Sequence, residues 1–141
     1  MKKKNTNRKA FTLVELLVVI AIIGLLVSLV GPKFFGQVDK AKNQTVKAQL
    51  QMISSALDTF RLDTGRYPTN EEGLKILWQK ESNIPGFTGM YLPKPLKNDP
   101  WGHPYIYSNS NDKGYDYTLK SYGADGKEGG DKKNKDFSVW E

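Results

Sequence analysis

Cysteine is absent from this 141-residue chain, which removes disulfides, thiol nucleophiles and thiolate zinc sites together. Histidine is almost absent. His103 stands alone between Gly102 and Pro104 in a turn-like stretch, so no paired-histidine metal motif exists and a structural role outweighs a catalytic one. No nucleophile elbow or phosphate-binding glycine loop occurs, and no spacing of Ser, His and Asp nominates a triad, so the chain is not expected to be an enzyme. Free positive charge is also scarce. Five of the six net positive charges lie in the first ten residues, at Lys2, Lys3, Lys4, Arg8 and Lys9, leaving a net of +1 for the remaining residues. The pI of about 9.4 is therefore no argument for nucleic-acid binding, and no nucleic-acid partner is expected.

The informative residues are concentrated at the start of the chain. The basic leader MKKKNTNRKA meets FTLVELLVVIAIIGLLVSLV, an apolar run broken by one acid, Glu15. As a helix, residues 11–30 would extend about 30 Å, the hydrocarbon thickness of a bilayer. Flanking lysines hold the leader on the cytoplasmic side and send the remainder across. A carboxylate at the centre of such a span costs roughly 2.5–3.5 kcal/mol, less near an end, and usually has a partner. Glu15 lies one helical turn from Phe11. Cutting between Ala10 and Phe11 would place a new α-amino group where a counter-charge is needed. No A-x-A-like site follows the apolar run, which argues against an ordinary secretory signal.

Here KAFTLVELLVVIAIIGLL resembles the processing signal of type IV pilins and pseudopilins. That resemblance implies removal of the leader after Ala10 by a membrane prepilin peptidase, N-methylation of Phe11, and a role for Glu15 in recruiting the N-terminus of a neighbouring subunit. Ala10 departs from the family, which usually carries glycine just before the cut, although small size is retained. Gly24 and Pro32 match family positions that mark the part of the helix able to unwind during filament assembly. From the residues alone, Gly31 and Pro32 predict a kink or a short melted stretch, or simply a boundary between membrane and soluble helix.

Helical periodicity resumes with Val38 and Ala41 and continues through Val46, Leu50, Ile53, Leu57 and Phe60, a stripe that belongs against a sheet. Asp63, Thr64 and Gly65 end it. Thr69 and Glu72 have capping-box spacing ahead of a short second helix containing Leu74, Ile76, Leu77 and Trp78. Residues 81–100 read as a long irregular connection, pinned by packing or functional. DPWGHPYIYSN and YDYTLKSY predict a turn and two strands of a small antiparallel sheet. The aromatics Trp78, Trp101, Tyr105, Tyr107, Tyr115, Tyr117 and Trp140 are expected to pack between helix and sheet.

The ordered set GRYPTNEEGL, DPWGHPYIY and YTLKSYGADGKEGGDKKNKDFSVWE, together with the processing signal, resembles the G-type major pseudopilins of type II secretion systems over nearly the whole chain. The residues after the predicted strands, GADGKEGGDKKNKD, would alone be a solvated turn, since Lys127, Lys132, Lys133 and Lys135 offset the acids. The resemblance implies instead a calcium loop with Asp125 and Asp136 as side-chain ligands, the Tyr122 carbonyl as a third, and Asp131 as a weaker match. Trp140, next to the terminus, is a candidate to fold back and close that loop. The fold expected is α+β and pilin-like, with a leader at 1–10, a transmembrane and filament-core helix at 11–30, and a periplasmic domain at 31–141 that includes the second half of the long helix. The function implied is a homopolymeric periplasmic filament in the inner membrane, working with minor pseudopilins and an assembly platform to export folded proteins. A type IV pilus subunit, which commonly carries paired cysteines near its C-terminus, and an uncleaved membrane-anchored module are the alternatives.

Overall fold

In the computed structural model, residues 2–3, 10–110 and 113–141 are described; most of the leader, including Lys4, Arg8 and Lys9, lies outside them. The chain divides into two compact units, Met1–Asp39 and Lys40–Glu141. One helix, α1 (Leu13–Thr64), begins in the first and ends in the second.

Within the first unit, Thr12 starts α1. Its Oγ1 accepts the Glu15 N–H at 3.2 Å and its carbonyl accepts the Leu16 N–H at 3.2 Å, satisfying donors that a helix N-terminus otherwise leaves orphaned. The apolar window is long enough to cross a membrane, and none of it is buried. A melted stretch at Gly31 and Pro32 is not found, because α1 runs through Pro32 without interruption. One proline removes one rung of the ladder, and helix already formed on both sides propagates across the gap.

In the second unit the buried face of α1 is Val46, Leu50, Ile53, Ala56, Leu57 and Phe60. The stripe therefore starts later than its periodicity predicts: Ala41 is exposed and Val38 only half-buried. The helix stops at Thr64, whose Oγ1 donates to the Phe60 carbonyl at 2.8 Å. The Thr69–Glu72 box forms reciprocally. Glu72 accepts the Thr69 N–H at 2.8 Å, and Thr69 Oγ1 accepts the Glu72 N–H at 3.2 Å. Beyond the box, the short second helix is present as a 3₁₀ helix, Leu74–Trp78. Ile76 and Leu77 enter the core from it.

Residues 81–100 contain no helix or strand, and they are pinned. Thr88 Oγ1 and Tyr91 OH both donate to Asp63 Oδ2, at 2.7 and 3.0 Å, while Phe87 and Tyr91 pack edge-on against Phe60. The sheet has order β1 (Ile106–Ser108), β2 (Thr118–Ser121), β3 (Phe137–Ser138), all antiparallel. The sequence pattern predicts the first two of these strands and not the third. Ile106 faces Lys120 across the first ladder and Ser121 faces Phe137 across the second. Leu119 and Phe137 join the α1 stripe, Ile76, Leu77, Leu92, Tyr105 and Tyr117 in one core. Tyr117 ties that core to the helix through a 2.7 Å hydrogen bond with Ser54, and burial pushes its phenol up to about 12. Of the aromatics expected in the core, Tyr115 stays 42% exposed.

Candidate functional site

The two candidate sites lie in different units. At the first, Ala10 and Phe11 precede the helix and are exposed, Phe11 by 87%. Glu15 occupies the first turn of α1, where a carboxylate is favoured by the helix dipole. Among the described residues no cation pairs with it. The T-x-x-E spacing of Thr12 and Glu15 is the same capping signature as Thr69 and Glu72, a signal in the sequence that marks where α1 starts. Gly24 leaves open space around the position a Cβ would take. Nothing inside the first unit therefore requires glycine there, although glycine costs a helix about 1 kcal/mol relative to alanine.

The second site is the C-terminal loop. Two 3₁₀ turns, Gly123–Asp125 and Lys132–Asn134, pack on each other. Gly123, at φ 70°, makes this possible, since a Cβ there would stand 2.4 Å from the Lys135 carbonyl oxygen. This contact brings the Tyr122-to-Asp125 arm alongside the arm that carries Asp136. Asp125 is exposed, and its Oδ1 accepts the Lys127 N–H at 3.1 Å. Asp136 Oδ2 accepts the Gly129 N–H at 2.8 Å, whereas Oδ1 is buried and, among the described residues, has no donor. Asp131 is exposed; its carbonyl accepts the Asn134 N–H at 2.9 Å and its side chain makes no capping bond. Glu128 bonds Lys120 Nζ at 2.9 Å, which lowers the acid and raises the amine.

Among the described residues no three carboxylate or imidazole groups converge on one point. A cation here must draw on two carboxylates and backbone carbonyls, a donor set that suits a hard, oxygen-preferring ion. The buried, donorless Asp136 Oδ1 fits such an ion, because an ionised oxygen out of water needs a positive or hydrogen-bonding neighbour. Trp140 lines one cavity with Glu128 and Asp136 of this loop, but the direct contacts of its indole are with Tyr115 and Tyr117. Its Nε1–H donates to the Tyr117 carbonyl at 2.8 Å, and its ring stacks on Tyr115 at 4.9 Å and 3°. The exposed Tyr115 ring beside the half-buried indole makes that stack more favourable than a polar loop would be.

A long apolar N-terminal helix with an acid in its first turn, joined to a small antiparallel sheet, defines a pilin-like filament subunit. Residues 5–31 match the prokaryotic N-terminal methylation motif. Residues 33–140 match the family of type II secretion system protein G, and the chain belongs to that family. It is 39% identical over 139 residues to the type II secretion system core protein G of Pseudomonas aeruginosa, with 96% of each chain covered. The Vibrio cholerae core protein G is 38% identical over 141 residues, covering 98% of this chain and 95% of that one. The crystal structure of the major pseudopilin from the type 2 secretion system of enterohaemorrhagic Escherichia coli superposes with a TM-score of 0.57 at 31% identity, covering 75% of this chain and 92% of that chain. The molecule is thus a membrane-anchored major pseudopilin, a structural subunit of the type II secretion pseudopilus.

Proposed function

We propose that the chain enters the inner membrane as a precursor, is cut by prepilin peptidase between Ala10 and Phe11, is methylated on Phe11, and polymerises with residues 11–30 in the filament core. Its second unit is then periplasmic. The filament contacts minor pseudopilins and the inner-membrane assembly platform, and its growth drives export of folded proteins. The observation that carries this reading is the fully exposed apolar segment with one acid in its capped first turn.

In this scheme the Phe11 amine of an incoming subunit pairs with Glu15 of its neighbour. Two charges leave the aqueous edge together, and their pairing fixes axial register, since an offset of one turn would strand both. Gly24 and Pro32 supply the stretch that loosens on assembly. Calcium is held by Asp125, Asp136 and the Tyr122 carbonyl, with Asp131 a weaker contributor. The ion would give Asp136 Oδ1 the direct partner it lacks, where Lys120 supplies only a longer-range charge, and join the two arms of the loop. At a Kd of ~0.1 mM in ~1 mM calcium it adds about 1.4 kcal/mol of stability, a useful increment for a small exported domain without disulfides.

Glu15→Ala and Glu15→Gln test the assembly step in the native host, with N-terminal peptide mapping beside filament counts and secretion assays. Both variants are expected to start at methylated Phe11 and to lose filaments and secretion. Glutamine keeps a side chain that can hydrogen-bond in the first helical turn, so its failure isolates the charge. Normal filaments in Glu15→Gln overturn the charge pairing; a wild-type chain that retains its first ten residues in cells with active prepilin peptidase overturns the processing.

A further inference from the structure

The most deeply buried polar cluster of the second unit is not in the loop but behind it. The Asp99 side chain is fully buried. Its Oδ1 accepts the backbone N–H groups of Trp101 and His103, at 3.0 and 2.9 Å, folding residues 99–103 into a closed turn. Its Oδ2 accepts the hydroxyl of Ser121, at 2.7 Å. Ser121, itself without exposed surface, accepts in turn the Gly123 N–H at 3.1 Å. His103 Nδ1 lies 3.2 Å from the Gly123 carbonyl. A carbonyl only accepts, so this bond uses the tautomer with hydrogen on Nδ1. Trp101 from the same turn stacks on Phe137 at 5.6 Å.

The contacts at Ser121, Gly123 and Phe137 land next to residues assigned to the ion. Gly123 follows Tyr122 and precedes Asp125 by two positions, and Phe137 follows Asp136. One turn therefore grips both arms of the loop from behind. The fit is tight as well: at Gly126 a Cβ would stand 2.7 Å from His103 Nε2.

We infer that Asp99, Ser121 and His103 are positioning residues for the cation loop, holding the Gly123 peptide and the Phe137 strand in the geometry that lets Asp125, Asp136 and the Tyr122 carbonyl share one ion. This inference rests on the proposed calcium site. Calcium ligands arranged on glycine-rich backbone lose binding free energy when their arms must be ordered on binding, and a buried network made in advance removes that cost. Outer partners of metal ligands commonly change affinity by about 10- to 100-fold. Ser121→Ala removes both the hydroxyl that Asp99 accepts and the oxygen that the Gly123 N–H finds, so its expected effect is at least about tenfold weaker binding.

The test is calorimetric titration of the full chain in detergent micelles with calcium chloride, well below the unfolding temperature, with folding checked by circular dichroism. Ser121→Ala is compared with wild type and with Leu77→Ala, a core variant that destabilises the unit without touching the turn. His103→Leu is the second variant, because its ring is part-exposed and lies outside the apolar core; it should weaken binding several-fold. Weaker binding in Ser121→Ala or His103→Leu with wild-type affinity in Leu77→Ala supports the inference. Unchanged affinity in both turn variants overturns it and leaves the calcium reading standing. Equal weakening in Leu77→Ala also overturns it, by showing a general effect of lost stability. A wild-type chain that takes up no calcium overturns the calcium reading itself.

Discussion

Trp140→Ala separates two roles for the penultimate residue. The indole donates to the Tyr117 carbonyl at 2.8 Å, stacks on Tyr115, and lies 5.0 Å from the Tyr117 ring. It latches the C-terminal strand across β2, helped by the 3.1 Å bond from the Val139 N–H to the Leu119 carbonyl. Full truncation of a buried tryptophan costs about 3–5 kcal/mol. Trp140 is only half-buried, which reduces the packing loss, whereas the lost hydrogen bond adds about 1 kcal/mol. The expected destabilisation is about 2–4 kcal/mol, a large share of the ~5–15 kcal/mol typical of a domain. For a unit of this size that corresponds to roughly 10–25 °C in Tm. The assay is urea unfolding of the full chain in detergent, followed by circular dichroism, once with chelator and once with calcium. A latch predicts that most of the loss is present in chelator. Wild-type stability in chelator, with a deficit only when calcium is added, would refute the latch and return Trp140 to the calcium loop. Trp140→Phe keeps the stack and removes the donor, and should cost about 1 kcal/mol.

Two further predictions concern pH. The paired hydrogen bonds from Arg66, both 2.8 Å, hold the Glu72 carboxyl below its usual range; the stability this supplies is present above about pH 4.5 and is lost as pH falls through the depressed value. Glu72→Gln should therefore cost about 1 kcal/mol at neutral pH, a modest figure because the pair is partly solvated, and its urea midpoint should converge with wild type in acid; parallel pH curves would contradict the pairing. At the alkaline end, burial raises Tyr105 and Tyr107 and pushes Tyr117 up to about 12, so their contribution is complete below about pH 10 and vanishes as pH climbs through the raised values. Part of the tyrosinate absorbance should appear only together with loss of helical dichroism, and ionisation of every phenol with the helix retained would count against buried phenols.

The parts of this fold that are legible in the sequence are those set by neighbours along the chain. The α1 stripe from Val46 to Phe60, its stop before Gly65, and the Thr69–Glu72 box each depend on spacings of three or four residues. A short second helix is legible at Leu74–Trp78, but not its 3₁₀ form, because its apolar residues are too few to distinguish the two periods. Strand β3 is invisible there because it is two residues long and exists through its ladder to β2, not through any propensity of Phe137 and Ser138. The irregular run over 81–100 gives no sign that Asp63, from the end of the helix, collects hydroxyls from Thr88 and Tyr91. At the candidate loop the sequence suggests the acids, but not that Asp136 Oδ1 is buried without a donor. The Asp99–Ser121 bond spans 22 positions and has no periodic signal; the only hint is an acid leading a Pro-Trp-Gly-His turn.

The apolar residues fall into two populations that fold and assemble by different physics. Those from Val46 to Phe60 are covered within the second unit and stabilise it by leaving water. Those between Phe11 and Val30 are covered by nothing in the first unit. In a bilayer they are already among hydrocarbon, so moving them from lipid to a neighbouring helix gains little from the hydrophobic effect. Selection among registers must then come from close packing and from polar groups. Within residues 11–30 Thr12 caps the helix start and Ser28 donates to the Leu25 carbonyl at 2.8 Å within its own helix, which leaves Gly24, where a Cβ would meet open space, and Glu15, the acid of the first turn. On the proposed scheme the membrane segment is thus uniform where it must slide from lipid into polymer. It is specific only where one subunit has to recognise the next.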